Sequence, residues 1–175
     1  DMTCGSFMAQ TSDELCKRVD VKRQEVDEYA ALSHARTAAS IDNDVFEQEI
    51  VPVTIKSRRG EVVLTHKDED HLVRDCSAES LSKLPTAFGP ESLVTAGNAS
   101  GIVDGAAAVV IKSATKAQAD GDKPLARIVS WGIVGLEPAI MAYGPVPSSR
   151  KALENAGLTV DDIGRWEINE AFAGQ

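Results

Sequence analysis

Val94-Thr-Ala-Gly-Asn-Ala-Ser-Gly-Ile-Val-Asp-Gly-Ala-Ala-Ala-Val-Val-Ile111 is the stretch on which the reading of this 175-residue chain turns. Glycines fall at 97, 101 and 105, with only small or short polar side chains between the first two. Glycine tolerates positive φ and lets another group come close, so this spacing suits a turn pressed against a ligand or a neighbouring segment. Ala106–Ile111 then carries no charge and rises in β-branched content, which predicts a strand buried on both faces over Ala106–Lys112. Two readings of the turn stand side by side: a cradle for the polar chain of a cofactor, and a tightly packed structural turn. On physics alone the packed turn is the stronger.

Outward from that stretch, composition narrows the classes. Apolar residues make up 43% and charged residues 26%, the proportions of a globular chain with room for one sizeable core or two small ones. No apolar run reaches membrane-spanning length, and the first residues lack the basic-then-apolar plan of a signal peptide. Three cysteines, at 4, 16 and 76, match neither a paired disulfide framework nor a C-x-x-C metal site. That pattern points to a reducing, cytoplasmic compartment and to no bound metal. The net charge of −9 argues against a nucleic-acid partner. It is uneven: residues 1–92 hold 11 Lys/Arg against 18 Asp/Glu, residues 93–175 hold 7 against 9. The shift near residue 92, from a polar first half to a Gly- and Ala-rich second half, predicts a domain boundary.

In the first half, Thr11-Ser-Asp-Glu14 has capping-box spacing and predicts a short helix beyond it. A longer helix is predicted from Arg23 to Ala39, with Val26, Ala30, Ser33 and Thr37 inward and Tyr29 beside them. His34 reads as a surface or boundary residue. Glu49–Ile55 and Glu61–Thr65 read as strands joined by a basic hairpin turn, Lys56-Ser-Arg-Arg-Gly60. His66 and His71 flank a charged loop whose spacing matches no ordinary metal site. The second half alternates like an α/β layer fold: the strand at 106–112, a helix near 114–120 stopped by Gly121, and a strand at 125–131. A helix opening near Pro147 and stopped by Gly157 follows, then a short strand Trp166–Asn169 leading into a helix start at Glu170.

Familiar catalytic motifs can be excluded by counting. Gly97-Asn-Ala-Ser-Gly101 is G-x-x-S-G, not a nucleophile elbow, and neither a P-loop nor G-x-G-x-x-G occurs. Asn98-Ala-Ser100 is formally a glycosylation sequon. Asn169 is the best candidate for chemistry. Its amide cannot titrate, so its work there would be to hold a water or a carbonyl oxygen where negative charge develops. The competing reading is a helix N-cap.

The stretch TAGNASGIVDGAAAVV resembles the signature of the thiolase family, acyltransferases that make or cleave 3-ketoacyl-CoA. MAQTSDEL at 8–15, VSWGIVGLEPAIMAYGPVPSSRKALENAGL at 129–158 and INEAFAGQ at 168–175 agree with it. The resemblance runs over essentially the whole chain but matches only the middle of a thiolase. It implies an α/β class with a partial thiolase-like layered αβαβα fold. Residues 1–92 would be the loop domain and 93–175 the opening portion of the C-terminal core domain. Coenzyme A is implied as substrate, with no other cofactor, and a homo-oligomer, dimer or tetramer, as the full-length assembly.

The same resemblance assigns residues. Asn169, in the NEAF motif, would fix a water in an oxyanion hole. Arg74 would meet the nucleotide end of CoA. Ser80 and Phe88 would line the pantetheine channel, and Ser100 would contact the pantetheine, with Ala96 and Ile102 beside it and Met8 opposite. Ala171 and Phe172 complete the set. Phe7-Met8-Ala9 stands where many thiolases have His-Met-Gly, and Lys22 where many have a capping serine.

Thiolysis also needs a nucleophilic cysteine, a histidine to activate it and a second cysteine to move the α-proton. The family carries these in C-x-S-G, G-H-P and C-x-G-G-G settings, none of which occurs here; Cys4-Gly-Ser-Phe7 fails at the fourth position. The expectation is a thiolase segment, inactive alone. The alternative is a non-catalytic CoA-binding or interaction module of the same fold.

Overall fold

The computed structural model describes residues 2–175. They form two units, one of residues up to Leu15 together with Ile102–Asn169, the other of Cys16–Gly101 with Glu170–Gln175. Helix α1, Met8–Val19, runs across the first division.

Helix α1 starts a turn earlier than its capping box suggested. Gln10 Oε1 accepts the Phe7 amide at 2.9 Å, so Gln10 makes the reaching-back bond expected of Glu14. Thr11 lies inside the helix, buried, its hydroxyl donating to the Met8 carbonyl at 2.7 Å. The helix closes with Asp20 at φ 61 and the Val21 amide on the Cys16 carbonyl at 2.9 Å. That is a Schellman closure with aspartate in the place glycine usually takes.

In the second unit, α2 spans Arg23–Asp42, three residues beyond the predicted end, with the Asn43 side-chain amide closing it on the Ala39 carbonyl at 2.7 Å. At its start Lys22 offers no side-chain acceptor. The Lys22 amide is met by Glu25 Oε2 at 2.8 Å, so only the reverse half of a capping box is present. Val26 and Ala30 are buried as the stripe predicts, but the third buried residue of the helix is Asp27. Strands β1 (Val53–Lys56) and β2 (Val62–His66) pair antiparallel, Val53 opposite His66 and Ile55 opposite Leu64, with a register shift between Ile55 and Lys56. Val53, Ile55, Val62, Val63 and Leu64 are all exposed, so the hairpin rests on no core. Helix α3, Ala78–Ser82, is capped reciprocally by Ser77 and Ser80. Val26, Ala30, Leu81 and Val94 are the buried apolar residues of this unit, with Cys16.

In the first unit, α4 (Ala114–Asp120) starts on the Ser113 hydroxyl and stops at Gly121, as predicted. Helix α5 is Pro145–Ala156, opening two residues before Pro147, and Gly157 follows at φ 67. Ser130 Oγ donates to the Ala152 carbonyl at 2.6 Å and Asn155 donates to the Trp131 carbonyl at 2.9 Å, so residues 130–132 lie along α5. A Cβ on Gly132 would fall 2.3 Å from the Ser148 carbonyl oxygen, which shows how closely they lie.

Three predicted strands are not formed. Residues 106–112, 125–131 and 166–169 have no ladder partner; the only sheet among the described residues is β1–β2. Ala106–Lys112, expected to be buried, is exposed along its length, with Val109, Val110 and Ile111 at 82%, 88% and 71%. The side chains are those of a central strand, but a strand is completed by hydrogen bonds to a neighbour. No neighbour lies alongside among the described residues. The expected helix at Glu170 is also absent: Phe172 bridges to Ala99, and a turn follows.

Candidate functional site

The second unit holds a cleft of about 720 Å³. Tyr29, Ala30, Ser33 and His34 of α2 form one wall, Ser80 and Leu81 of α3 another. The turn Ala96–Gly101 forms a third, and His71, Val73, Cys76, Leu84, Glu170 and Ala173 complete it. The geometry at the glycine-rich turn bears out the packed reading of its spacing. A Cβ on Gly97 would sit 2.4 Å from Leu81 Cδ2 and 2.6 Å from Leu84 Cδ1, so Gly97 serves packing. A Cβ on Gly101 would strike the His71 imidazole at 2.4 Å, while Gly105 has open space around it. Ala96 and Ser100 are among the residues that line the cleft.

A buried polar network shapes the turn. Asn98 Oδ1 accepts the Thr95 amide at 2.7 Å, and Asn98 Nδ2 donates to Asp27 Oδ1 and to the Leu93 carbonyl, each at 2.9 Å. Asp27 Oδ2 accepts Arg23 Nε at 2.7 Å, and Arg23 Nη2 donates to the Leu81 carbonyl at 2.8 Å. Asp27 and Asn98 are 1% and 4% exposed, so a carboxylate is buried here only because a guanidinium and an amide meet it. Asn98 is thus consumed by folding, and its sequon is not presented to solvent.

Nothing in the sequence alone points to this network except the i,i+4 spacing of Arg23 and Asp27.

The cleft bears no lysine or arginine. Cys76 has its thiol pushed up first by burial and then by the Asp27 charge, which disfavours a thiolate. All three cysteines are free thiols. His34 Nδ1 accepts the Val73 amide at 3.3 Å, so it pins the loop at 69–76. Glu170 takes hydrogen bonds from Tyr29 Oη at 2.5 Å and Ser33 Oγ at 3.3 Å. The Tyr29 phenol is raised above its ordinary value mainly by that bond, then by burial and by the Glu170 charge.

Of the residues singled out from sequence, Ser80, Ala96 and Ser100 line the cleft. Ser100 also donates its amide to the Ala171 carbonyl at 2.9 Å, and Phe172 forms the bridge to Ala99. Phe88 is exposed and does not line the cleft. Arg74 is at the surface, paired with Asp42 at 2.7 Å. Met8, half-buried at the head of α1, and Ile102 and Asn169, both exposed, belong to the first unit. Since no helix follows Asn169, it caps nothing in this structure.

The family model of the thiolase N-terminal domain matches residues 1–115, and that of the thiolase C-terminal domain matches 122–175. The chain belongs to the thiolase family. It is 44% identical to an acetyl-CoA acetyltransferase of Syntrophomonas wolfei over all of its own length and 43% of that protein's. It is also 44% identical to a 3-ketoacyl-CoA thiolase of Marinobacter nauticus, over 97% of this chain and 44% of the relative. The human mitochondrial 3-ketoacyl-CoA thiolase superposes with a TM-score of 0.89 at 39% identity, covering 99% of this chain and 44% of that one. The same human enzyme in complex with CoA gives 0.88 at 38% identity, covering 99% and 42%. The fold is thus a partial thiolase fold, spanning less than half the length of the thiolases it matches.

Proposed function

We propose that the protein containing this thiolase segment transfers acyl groups between CoA thioesters through a cysteine-bound acyl enzyme. What carries the reading is family membership together with the NEAF motif, Asn169–Phe172, whose last three residues dock on the glycine-rich turn and α2. Asn169 would hold a water or carbonyl oxygen where charge develops. Removing one such donor costs about 100- to 1,000-fold in turnover.

The cleft supports a division of labour in CoA binding. Small neutral groups, Ala96, Ser100 and Ser80, suit the uncharged pantetheine arm. A wall holding the Glu170 carboxylate and no lysine or arginine does not suit phosphate. Phosphate recognition falls to basic residues elsewhere, with Arg74 as the candidate. Met8, Phe88, Ile102, Ala171 and Phe172 complete the proposed CoA-contacting set, with CoA as substrate and no further cofactor. The boundary near residue 92, a homo-oligomeric state and a cytoplasmic location belong to the same proposal. No helix among the described residues is long and apolar enough to cross a membrane.

The test follows loss of the acetoacetyl-CoA enolate absorbance. This chain alone should show no turnover above free-thiol background, whereas the full reading frame should turn over and lose it on Asn169→Ala. Turnover by the chain alone, abolished by changing Cys4, Cys16 or Cys76, would place the nucleophile here and overturn the assignment. A complete protein that binds CoA without turnover would favour the non-catalytic module.

A further inference from the structure

We infer that Asp27 is a positioning residue, whose carboxylate sets the spacing between two walls of the cleft, α3 and the turn Ala96–Gly101, and so its fit to the pantetheine arm of CoA. The inference deepens the proposed pantetheine role of the cleft and rests on it. Asp27 is 1% exposed and does not itself line the cleft. Its two oxygens serve different walls. Oδ1 accepts Asn98 Nδ2 at 2.9 Å, inside the turn that carries Ala96 and Ser100. Oδ2 accepts Arg23 Nε at 2.7 Å. Arg23 Nη2 then donates to the Leu81 and Leu84 carbonyls, at 2.8 and 3.4 Å, at and just beyond the end of α3.

Contact and attraction divide the work. Gly97 lies against Leu81 and Leu84 with no room for a Cβ, so packing sets how near the turn can come to α3. The run of hydrogen bonds from Leu81 through Arg23 and Asp27 to Asn98 sets how far it can move away. Hydrogen bonds to ionised groups are the stronger kind, and a buried network of them is rigid when every member is satisfied. Both groups that meet Asp27 are donors, so its position requires an acceptor on each side. A carboxylate provides two. An asparagine amide provides one and turns its own N–H against the other donor. Ser80, Ala96 and Ser100 line the cleft on the two walls held in this way. A neutral arm bound by small polar groups depends on both walls standing at hydrogen-bond distance at once.

The test uses the full-length protein that contains this segment and reads, by calorimetry, dissociation constants for two pieces of CoA, pantetheine and phosphoadenosine diphosphate. Asp27→Asn should weaken pantetheine roughly 10-fold, the worth of one or two hydrogen bonds, and leave the nucleotide within about 2-fold. Loss of folded protein would instead lower the number of sites and move neither constant. Adding Asn98→Asp, whose carboxylate accepts the new amide and still takes the Thr95 amide, should recover most of the loss. Arg23→Lys keeps a cation on Asp27 but replaces the guanidinium fork with a compact ammonium, and should weaken pantetheine roughly 3-fold. It is the deciding variant if Asp27→Asn yields no folded protein. Wild-type pantetheine affinity in the deciding variant, equal losses for the two ligands, or a reciprocal pair no better than Asp27→Asn overturns the positioning role and leaves the cleft its ligand. Unmutated protein that binds the nucleotide but no pantetheine overturns the ligand of the cleft and this inference together.

Discussion

Asn98 shows how a residue that invites a surface reading can belong to the interior. Its side chain meets Thr95, Leu93 and Asp27, and truncation strands the buried Thr95 amide and removes one of two partners from a buried carboxylate. An orphaned group costs about 1–3 kcal/mol, and an imperfectly paired buried charge costs more. Asn98→Ala should therefore destabilise the second unit by at least about 3 kcal/mol, measured from hydrogen exchange of the α2 amides. Tyr29 gives a pH prediction. Its phenol is raised by the bond to Glu170, so the folded state holds that proton more tightly than the unfolded chain. The stabilisation is fully present below the unfolded phenol value of about 10, and is lost as pH rises through the higher folded value. Phenolate absorbance should show one of the two tyrosines titrating late. Tyr29→Phe should remove that phase and Glu170→Gln should bring it down.

At the scale of elements, the stops of α4 and α5 and the β1–β2 hairpin were legible, whereas the strands at 106–112, 125–131 and 166–169 and the helix start at Glu170 were not borne out. Ser113 and Gly121 bound α4, and Gly157 stops α5, because caps are satisfied by residues a few positions away in the chain; α5 opens at Pro145, two residues before the expected Pro147. Gly157 adopts φ 67, and no atom lies within 4 Å of the place an added methyl group would take, so Gly157→Ala meets backbone strain and no clash. The expected loss is about 1 kcal/mol at the C-terminal end of α5, read from exchange of residues 153–156. The start of α1 was misplaced by a turn because two cap patterns overlap. Gln10 can serve Phe7 as readily as Glu14 could serve Thr11, and burial of Thr11 and Ser12 favours the longer helix. The β-like sequences at 106–112 and 125–131 failed for a different reason, since a strand needs a neighbour that local sequence does not supply and none lies alongside among the described residues.

For the molecule as a whole, the consequence is apolar surface without a cover. Val103, Val109, Val110, Ile111, Leu125, Ile128 and Trp131 of the first unit are all more than half exposed. Amides of Val109–Ile111 should exchange at nearly the free-peptide rate in this chain, because no ladder hydrogen bond protects them. Slow exchange there would mean that copies associate through this segment, as unpaired apolar edges are prone to do. The sequence by itself determined the family, the helix ends set by capping, the hairpin and the absence of the nucleophile's motifs, all of which depend on residue identity at short range. Only the tertiary structure decided that Gly97 serves packing against Leu81 and Leu84 and that Asp27 is buried with Arg23 and Asn98. It also decided that Glu170 is held by Tyr29 and Ser33. Those contacts join residues as much as 141 positions apart, and no local pattern of spacing or propensity encodes a pairing at that distance.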